Sequence, residues 1–285
     1  VNPHYASYDP HAMAWSAVDE AVRNVVSVGG DPEQLSLLDN FCWGNPNKPD
    51  RLAGLVLACE GCHDGAVDFG APFISGKDSL NNEYTGADGE KHAIPGTILV
   101  TAMAIVPNVR RTATSDFKAA GNHIVIVGRT DDEIGGSAAS RWLGVSGGRA
   151  PGRKLEGPTN ARAVYGLIRD GLVKTCHDCS EGGLAVAVAE MAIGGQVGCT
   201  IDLAKVPMQG VSTDTNLVFS ESNARYLLEV APDNIKSVLE SLDGLEYAVI
   251  GMTGGTEVSM LTRDGHDFIR ADLGQLSASH HTPVL

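Results

Sequence analysis

In the first third of the chain, apolar residues recur first with the period of helices and then in short runs typical of strands. Asp9-Pro10 is typical of a helix start, and apolar residues follow at helical spacing as far as Val28, before two glycines. The elements predicted in this part are a helix over 10–28, a helix over 46–69, strands over 72–75 and 97–106, and a glycine-rich hairpin over 84–89. This mixture predicts an α+β domain over residues 1–107.

Beyond Pro107, apolar β runs alternate with helical runs. The predicted strands lie at 124–127, 173–176, 226–230 and 248–250, and the predicted helices at 132–143, 158–170, 182–193 and 234–242. Such alternation indicates a layered α/β domain, which we place at residues 108–285. Residues 144–157 are rich in glycine, arginine and proline, and they are expected to form a mobile surface loop.

Composition agrees with a two-domain globular protein. The chain has 285 residues, of which 43% are hydrophobic and 20% are charged, and about 150 residues per domain is usual. Its 35 acidic and 21 basic residues give a net charge of −14, which repels nucleic-acid backbones and anionic membranes. No apolar run approaches the ~20 residues of a membrane span. We therefore expect neither nucleic acid nor a membrane as a partner, and a phosphate ligand would need Mg²⁺, backbone N–H groups or a few placed cations.

Six cysteines in a chain of this size predict reduced thiols and a cytoplasmic location. Two Cys-x-x-Cys pairs, Cys59/Cys62 and Cys176/Cys179, leave a zinc-binding interaction module as an alternative, although a long stretch separates the pairs and the first falls in a helical pattern. The sequence begins with Val1 rather than Met, from which we expect that an upstream part has been removed.

Two polar residues of the first predicted helix form the first candidate site. Glu20 and Asn24 are one helical turn apart and so lie on one face, near Arg23. A carboxylate beside an amide oxygen suits a hard cation such as Mg²⁺, which favours oxygen ligands and bridges to phosphate. Because polar pairs at this spacing are common, a solvated helix face is the simpler interpretation of this pair taken alone.

Two segments near predicted strands carry further candidate ligands. Asp39 and Asn40 end an apolar run, where strands often present ligand groups, although an Asx turn explains them equally well. After a short strand, Gly76 would admit a phosphate to the backbone, Lys77 would supply a point charge and Ser79 a donor. This second segment lacks the spacing of a Walker A motif, and a charged turn remains the alternative.

The most specific motif is His177-Asp178-Cys179-Ser180-Glu181-Gly182-Gly183-Leu184, between a predicted strand and a predicted helix. A helix that begins with Gly182 and Gly183 would present free N–H groups and a positive dipole to an anion. Asp178 would then reach a metal on that anion, and Ser180 would donate to a phosphate oxygen. A plain helix cap by Ser180 or Asp178 is the alternative. Two weaker segments, 132–137 and 219–225, are as consistent with turns as with ligand contacts.

Taken together, five segments resemble, in this order, the second half of phosphoribosylformylglycinamidine synthase. They are residues 19–24 (DEAVRN), 38–41 (LDNF), 75–80 (SGKDSL), 177–184 (HDCSEGGL) and 219–225 (FSESNAR). The resemblance covers nearly the whole chain. It implies the two-domain unit of aminoimidazole ribotide synthetase, with an N-terminal α+β domain that pairs through its sheet, here truncated at its start, and a C-terminal layered α/β domain.

The resemblance also implies roles for individual residues. Glu20, Asn24 and Asp178 resemble Mg²⁺ ligands of a tightly held nucleotide site, with Ser180, Gly182 and Gly183 on the nucleotide. Asp39, Gly76 and Lys77 resemble nucleotide-binding residues, and Ser79 a substrate-binding residue, of an active site shared with the missing half. Lys77 stands where some relatives place a metal-binding asparagine. The main catalytic histidine is expected in the missing half.

The activity implied by the resemblance is that of an ATP-dependent ligase, which converts formylglycinamide ribonucleotide, ATP and glutamine-derived ammonia into formylglycinamidine ribonucleotide, ADP and phosphate. The implied cofactors are ATP or ADP and Mg²⁺. The implied partners are the first half of the synthetase or a second copy of this chain, a glutaminase subunit and a small accessory subunit. By itself the chain is expected to be inactive or nearly so. The alternatives are a homodimeric enzyme like aminoimidazole ribotide synthetase and a non-catalytic half that holds a nucleotide and positions its partner.

Overall fold

The computed structural model describes residues 2–282. Its helices are α1 (Pro10–Ser27), α2 (Pro49–Phe69), α3 (Ala138–Trp142), α4 (Gly157–Arg169), α5 (Gly183–Gly195), α6 (Asp214–Phe219), α7 (Ile235–Ser241) and α8 (Leu273–His280). Its strands are β1 (Leu35–Cys42), β2 (Phe73–Ser79), β3 (Glu83–Thr85), β4 (Lys91–Ala93), β5 (Thr97–Ala104), β6 (His123–Val127), β7 (Thr130–Asp131), β8 (Thr175–Asp178), β9 (Cys199–Asp202), β10 (Met208–Gln209), β11 (Tyr226–Val230), β12 (Tyr247–Thr253), β13 (Glu257–Leu261) and β14 (Asp267–Asp272).

The first two helices begin and end close to the residues that the sequence predicts. At the start of α1, the Asp9 side chain accepts hydrogen bonds from the N–H groups of His11 and Ala12, and Pro10 occupies the first turn. Helix α2 ends at Gly70, whose φ of 63° is the left-handed conformation that glycine adopts without strain. Both helix predictions are confirmed.

The first part of the chain forms a three-stranded sheet in the order β2-β1-β5. The central strand β1 pairs parallel with β2 and antiparallel with β5. Its alternate residues Leu35, Leu37 and Phe41 are buried with side chains of α1 and α2. On the opposite face, Leu99 and Met103 of β5 are exposed. Helices therefore cover one face of this sheet and leave the other open.

The second sheet has seven strands in the order β14-β13-β9-β12-β6-β11-β8. Its pairs are antiparallel, apart from the parallel pair of β9 and β13. The inner strand β6 is buried on both faces, because Val125 and Val127 pack with α1 and α4 whereas Ile124 and Ile126 pack with α5. The layered arrangement of helices and sheet that the sequence predicts is confirmed.

Helix α1 lies between the two sheets. Its residues Val18 and Val22 share one core cluster with Leu37 of β1 and Val125 of β6. The helix also contacts β8, at the edge of the seven-stranded sheet. Polar residues of α1 are therefore carried next to the end of a strand that lies far away in the sequence.

The helix predicted over 132–143 is wrong in its first half, since only α3 is helical. Gly136 has a φ of 74°, which an α-helix does not accommodate. The N–H of Glu133 is donated to Ser220 Oγ at 3.1 Å instead of to a helical carbonyl. These residues form a turn that is fixed by a distant segment.

The surface loop predicted over 144–157 is also wrong in part. Ala150 and Lys154 are buried, so the second half of the segment is packed, while residues 144–149 are exposed. Within the described residues, no helix combines the length and the apolar character needed to cross a membrane.

Candidate functional site

Four residues predicted for the nucleotide site line one cavity. Glu20 and Asn24 belong to α1, Asp178 is the last residue of β8, and Ser180 follows it. The cavity has a volume of about 370 Å³ and is lined by Glu20, Asn24, His177, Asp178, Ser180, Glu181, Ala187 and Glu190. The fold thus brings together groups from the first helix and from the middle of the chain.

The position of β8 explains how Asp178 reaches α1. The strand pairs with β11 at the sheet edge, where Asp178 lies opposite Tyr226. It begins and ends two residues later than the sequence predicts, which places Asp178 at its carboxyl end. Side chains at strand ends are well placed to meet a ligand because a rigid sheet holds them beside an open loop.

Arg23 joins α1 to this strand end. Its Nε donates to Asp19 Oδ2 at 2.6 Å. Its Nη1 donates to Asp178 Oδ2 at 3.1 Å and to Ser180 Oγ at 2.9 Å, and also to the carbonyl oxygen of Cys179 at 3.0 Å. Burial alone would lower the pKa of Arg23, but the charges of Asp19 and Asp178 outweigh burial and raise it. The guanidinium therefore stays charged, and two carboxylates share it.

Asp178 is held in its ionised form by several neighbours. Its Oδ1 lies 3.4 Å from His177 Nδ1, and His177 Nε2 lies 3.2 Å from Glu190 Oε2. Burial opposes ionisation of Asp178, but His177, Arg23 and Ser180 hold the pKa of this carboxyl well below its usual range. Burial likewise opposes protonation of His177, yet its bonds to Asp178 and Glu190 raise its pKa to about 9. Asp178 is therefore charged at neutral pH, as a metal ligand must be.

The hydroxyl of Ser180 is already engaged. It donates its proton to Asp178 Oδ2 and accepts a hydrogen bond from Arg23 Nη1 at 2.9 Å. A hydroxyl carries a single proton, so in this arrangement Ser180 does not donate to any other group. The predicted contact of Ser180 with a phosphate oxygen requires the hydroxyl to rotate away from Asp178.

The start of α5 differs from the open anion site expected from the sequence. The N–H of Gly182 is donated to Glu221 Oε1 at 2.7 Å, and the same oxygen accepts from the Ala138 N–H at 2.8 Å. A carboxylate of the protein itself thus takes the favourable position at this helix start. Gly183 has a φ of 63°, and a Cβ there would lie 2.4 Å from the carbonyl oxygen of Ser220. Packing explains this glycine, and nucleotide contacts of Gly182 and Gly183 stay a prediction.

The second predicted cluster lies on the three-stranded sheet. Asp39 is in the middle of β1 rather than at its end, opposite Gly76 of β2. A Cβ on Gly76 would lie 2.0 Å from Asp39 Oδ1, so glycine leaves room for this carboxylate. Burial, helped by the charge of Asp78, raises the pKa of Asp39. Farther along β2, Lys77 Nζ donates to Ser79 Oγ at 2.9 Å.

The sheet divides this second cluster between its two faces. Asp39 alternates with the buried residues Leu37 and Phe41, so it lies on the helix-covered face. Lys77 and Ser79 pair with the intervening positions of β1 and lie on the open face. None of these cluster residues is among the described residues that line the Asp178 cavity. The structure therefore contains two separate candidate regions.

The donors in the cavity fit a hard cation. Glu20, Asn24 and Asp178 offer carboxylate and amide oxygens, which Mg²⁺ prefers, and one or two carboxylates usually suffice because water and phosphate complete the shell. Residues 2–282 contain no group of three or more His, Cys, Asp or Glu side chains placed to hold a metal ion by themselves. A cation here therefore depends on the Asn24 amide and on oxygens from solvent or ligand. The two Cys-x-x-Cys pairs form no such group either, and their thiols are free.

The sequence does not predict the part that two residues play in this cavity. Glu190 lines the cavity and pairs with His177. In the sequence it stands out as the one charged residue of α5. In the sequence Arg23 is only a neighbour of Glu20 and Asn24 on the α1 face. Its central position depends on β8 lying beside the helix.

Comparison with known proteins gives consistent matches over the whole chain. Residues 1–106 match the N-terminal domain, and residues 119–262 the C-terminal domain, of AIR synthase related proteins. The phosphoribosylformylglycinamidine synthase subunit PurL of Thermococcus sibiricus is 36% identical over 282 residues, which are 99% of this chain and 38% of that protein. The same subunit of Thermococcus gammatolerans is 36% identical over 288 residues, covering 100% of this chain and 38% of that protein. The chain thus spans about two fifths of the length of the curated relatives that it matches.

Solved structures show the same fold. T. maritima PurL complexed with FGAR superposes with a TM-score of 0.77 at 19% identity, over 96% of this chain and 44% of that one. The hydrogenase maturation protein HypE in complex with ATP superposes with a TM-score of 0.66 at 18% identity, over 92% of this chain and 80% of that one. At these identities, the likeness to the solved structures concerns the fold alone.

Proposed function

Because the chain belongs to the family of AIR synthase related proteins, we propose that it is one half of an ATP-dependent phosphoribosylformylglycinamidine synthase of purine biosynthesis. The whole enzyme would convert formylglycinamide ribonucleotide, ATP and glutamine-derived ammonia into formylglycinamidine ribonucleotide, ADP and phosphate. Relatives that are 36% identical carry this name. The observation that carries the proposal is the convergence of Glu20, Asn24, Asp178 and Ser180 on one cavity.

Within this half, the cavity is assigned to a Mg²⁺-nucleotide. An acidic lining in a chain with a net charge of −14 repels a bare polyphosphate, so a cation must lie between the two. Glu20, Asn24 and Asp178 would hold the ion. When bound, Mg²⁺ would neutralise phosphate charge and fix the phosphates in place. Ser180, once rotated, would donate to a phosphate oxygen.

The three-stranded sheet is assigned to a partner. Its open face exposes large apolar side chains, Leu99 and Met103 among them, and contiguous exposed apolar surface is typical of an interaction site. The proposed partner is the first half of the synthetase or a second copy of this chain. Of the residues predicted for an active site shared with that partner, Lys77 and Ser79 lie on this open face and would meet the partner directly. Asp39, opposite Gly76, lies on the helix-covered face and would bind nucleotide from that side.

Three further assignments accompany this proposal. A glutaminase subunit would supply ammonia, and a small accessory subunit would join the assembly. The protein would work in the cytoplasm, in keeping with its six free cysteines. The boundary between its two domains, 1–107 and 108–285, would fall near Pro107, between the two segments that match the family.

A half that holds a nucleotide without catalysing a reaction is the second candidate. The ion pairs of Arg23 with Asp19 and Asp178 fix the cavity wall within this half, so this candidate requires no residue of the partner in the nucleotide site. Both candidates require the cavity to bind a Mg²⁺-nucleotide. They differ in whether nucleotide in this cavity is consumed when the partner half and substrates are present.

Calorimetry with ADP in the presence of Mg²⁺ tests the assigned binding. We expect wild-type protein to bind and Asp178→Asn to lose at least about 100-fold in affinity, because even outer-shell residues of metal sites cost roughly 10–100-fold. Excess EDTA should abolish binding to the wild type, since the acidic lining then repels the phosphates.

A surface variant serves as the matched control for this titration. Asp170→Asn also removes one carboxylate, but an exposed one paired with Arg169, and it should bind Mg²⁺-ADP like the wild type. Wild-type protein that gives no Mg²⁺-dependent heat, or an Asp178→Asn variant that binds normally, would contradict the proposal.

A further inference from the structure

A single buried guanidinium reaches both the proposed metal ligand and the hydroxyl beside it. Arg23 is 2% exposed, and its Nη1 contacts Asp178 Oδ2 at 3.1 Å and Ser180 Oγ at 2.9 Å. Its Nε is held by Asp19 Oδ2 at 2.6 Å. Because the guanidinium is planar and its donors point in fixed directions, fixing the Nε side also fixes where Nη1 points.

Asp19 is itself anchored to a distant turn. Its Oδ2 accepts a hydrogen bond from the N–H of Ala224 at 3.1 Å, and Ala224 has a φ of 62°, which a residue with a side chain rarely adopts. The Arg23 side chain is therefore set by two segments at once, α1 and the turn before β11. Such a doubly fixed donor determines the orientation of whatever it binds.

A purely structural ion pair would need only one carboxylate for this arginine. Asp19 already provides a fully buried partner. Asp178 adds a second negative charge that is also largely buried, 8% exposed, at the wall of the cavity. Arg23 and His177 together balance the charge of Asp178, so this carboxylate stays ionised at the cavity wall, where a divalent cation can reach it.

The contacts of Asp178 also distinguish its two oxygens. Arg23 and Ser180 both bind Oδ2, whereas Oδ1 faces His177 Nδ1 at the longer distance of 3.4 Å. On the basis of the nucleotide site proposed above, we propose that Arg23 is a positioning residue, which occupies Oδ2 and orients Asp178 so that Oδ1 binds the divalent cation. Arg23 also holds the oxygen of Ser180 in place, so this hydroxyl can turn its proton from Asp178 to a phosphate.

The Mg²⁺ requirement of nucleotide binding tests this role. In full-length chain with ADP held at a fixed concentration, the Mg²⁺ concentration at half-maximal binding should rise by about 10–100-fold in Arg23→Gln, the range found for residues that orient metal ligands. In Arg23→Lys this Mg²⁺ concentration should rise less, but still by about threefold or more, because an ammonium lacks the fixed fork that reaches Asp19 and Ser180 together.

Asn122→Ala is the control for a merely structural effect. Asn122 is buried and donates to Glu229 Oε1 at 2.6 Å. It lies beyond the end of β11 opposite to the one that pairs with Asp178, so its loss weakens the fold away from Arg23 and from the turn at Ala224. This variant should unfold at a lower temperature and keep the wild-type Mg²⁺ midpoint.

The outcomes separate the two proposals. A wild-type midpoint in a folded Arg23→Gln protein, or in Arg23→Lys if the first variant does not fold, overturns the role of Arg23 while the nucleotide site stands. An equal shift in Asn122→Ala overturns it as well, because the effect would then come from a general loss of stability. Absence of Mg²⁺-dependent ADP binding in the wild type would instead overturn the nucleotide site, and this inference with it.

Discussion

Replacing Lys154 with methionine is expected to lower the free energy of unfolding by about 3 kcal/mol or more, because it removes the cation between two buried carboxylates. Lys154 Nζ binds Asp131 Oδ2 and lies 3.5 Å from Glu133 Oε2. Asp131 is 8% exposed in its side chain and Glu133 is 2% exposed. Methionine has a similar length but no charge, so both carboxylates would be left with weaker partners. Urea unfolding at neutral pH measures the loss.

The matched control for this variant is Arg149→Met. Arg149 Nη2 also faces Asp131 and Glu133, at 3.6 and 3.7 Å, but its side chain is 65% exposed. Exposed ion pairs contribute only about 0–1 kcal/mol, so this variant should stay close to the wild type. Equal, small losses in both variants would show that burial of Lys154 does not strengthen its interactions.

Replacing Glu221 with alanine is expected to lower the free energy of unfolding by about 3–5 kcal/mol, because several buried donors lose their acceptor and each orphaned group costs about 1–3 kcal/mol. Glu221 accepts from the N–H groups of Gly182 and Ala138 and from the hydroxyl of Tyr5. The carboxylate thus joins the start of α5 to α3 and to the first turns of the chain. Thermal and urea unfolding both report the change.

Glu221→Gln separates the loss of an acceptor from the loss of charge. Burial, only partly offset by these hydrogen bonds, raises the pKa of Glu221, so ionisation is disfavoured in the folded protein. A neutral amide oxygen keeps an acceptor in the same place, and this variant should lose no more than about 1–2 kcal/mol. If the alanine and glutamine variants were equally stable, the hydrogen bonds of Glu221 would contribute nothing.

Local signals were sufficient to predict the elements with strong starts and ends. Asp9 and Pro10 start α1, Gly70 ends α2, and the apolar run over 226–230 forms β11 within the same limits. The strand β9 is not predicted because its alternation of buried and exposed residues covers four positions, too few to stand out in the sequence. The first half of the helix predicted over 132–143 failed because contacts with residues 220–222 override its local preference.

The candidate site was predictable only in its parts. The spacing of Glu20 and Asn24 placed them on one helix face, and the motif around Asp178 pointed to a strand end. Their meeting depends on the position of α1 between two sheets, which no local pattern contains. The hydrogen bond from the Gly182 N–H to Glu221, 39 residues away, could not be predicted for the same reason. The sequence of a helix start does not show whether its N–H groups bind a carboxylate of the protein or an anionic ligand.

The proposed nucleotide site requires Glu20, Asn24 and Asp178 to bind one divalent cation together. A crystal of the protein grown with Mn²⁺ and ADP tests this directly, because Mn²⁺ takes oxygen ligands as Mg²⁺ does and its anomalous scattering locates it. We expect a peak about 2.0–2.3 Å from an oxygen of each of the three side chains, with a phosphate oxygen in the same shell. A bound nucleotide whose metal lies away from these residues, or an anomalous map with no peak in this cavity, would contradict a shared cation site.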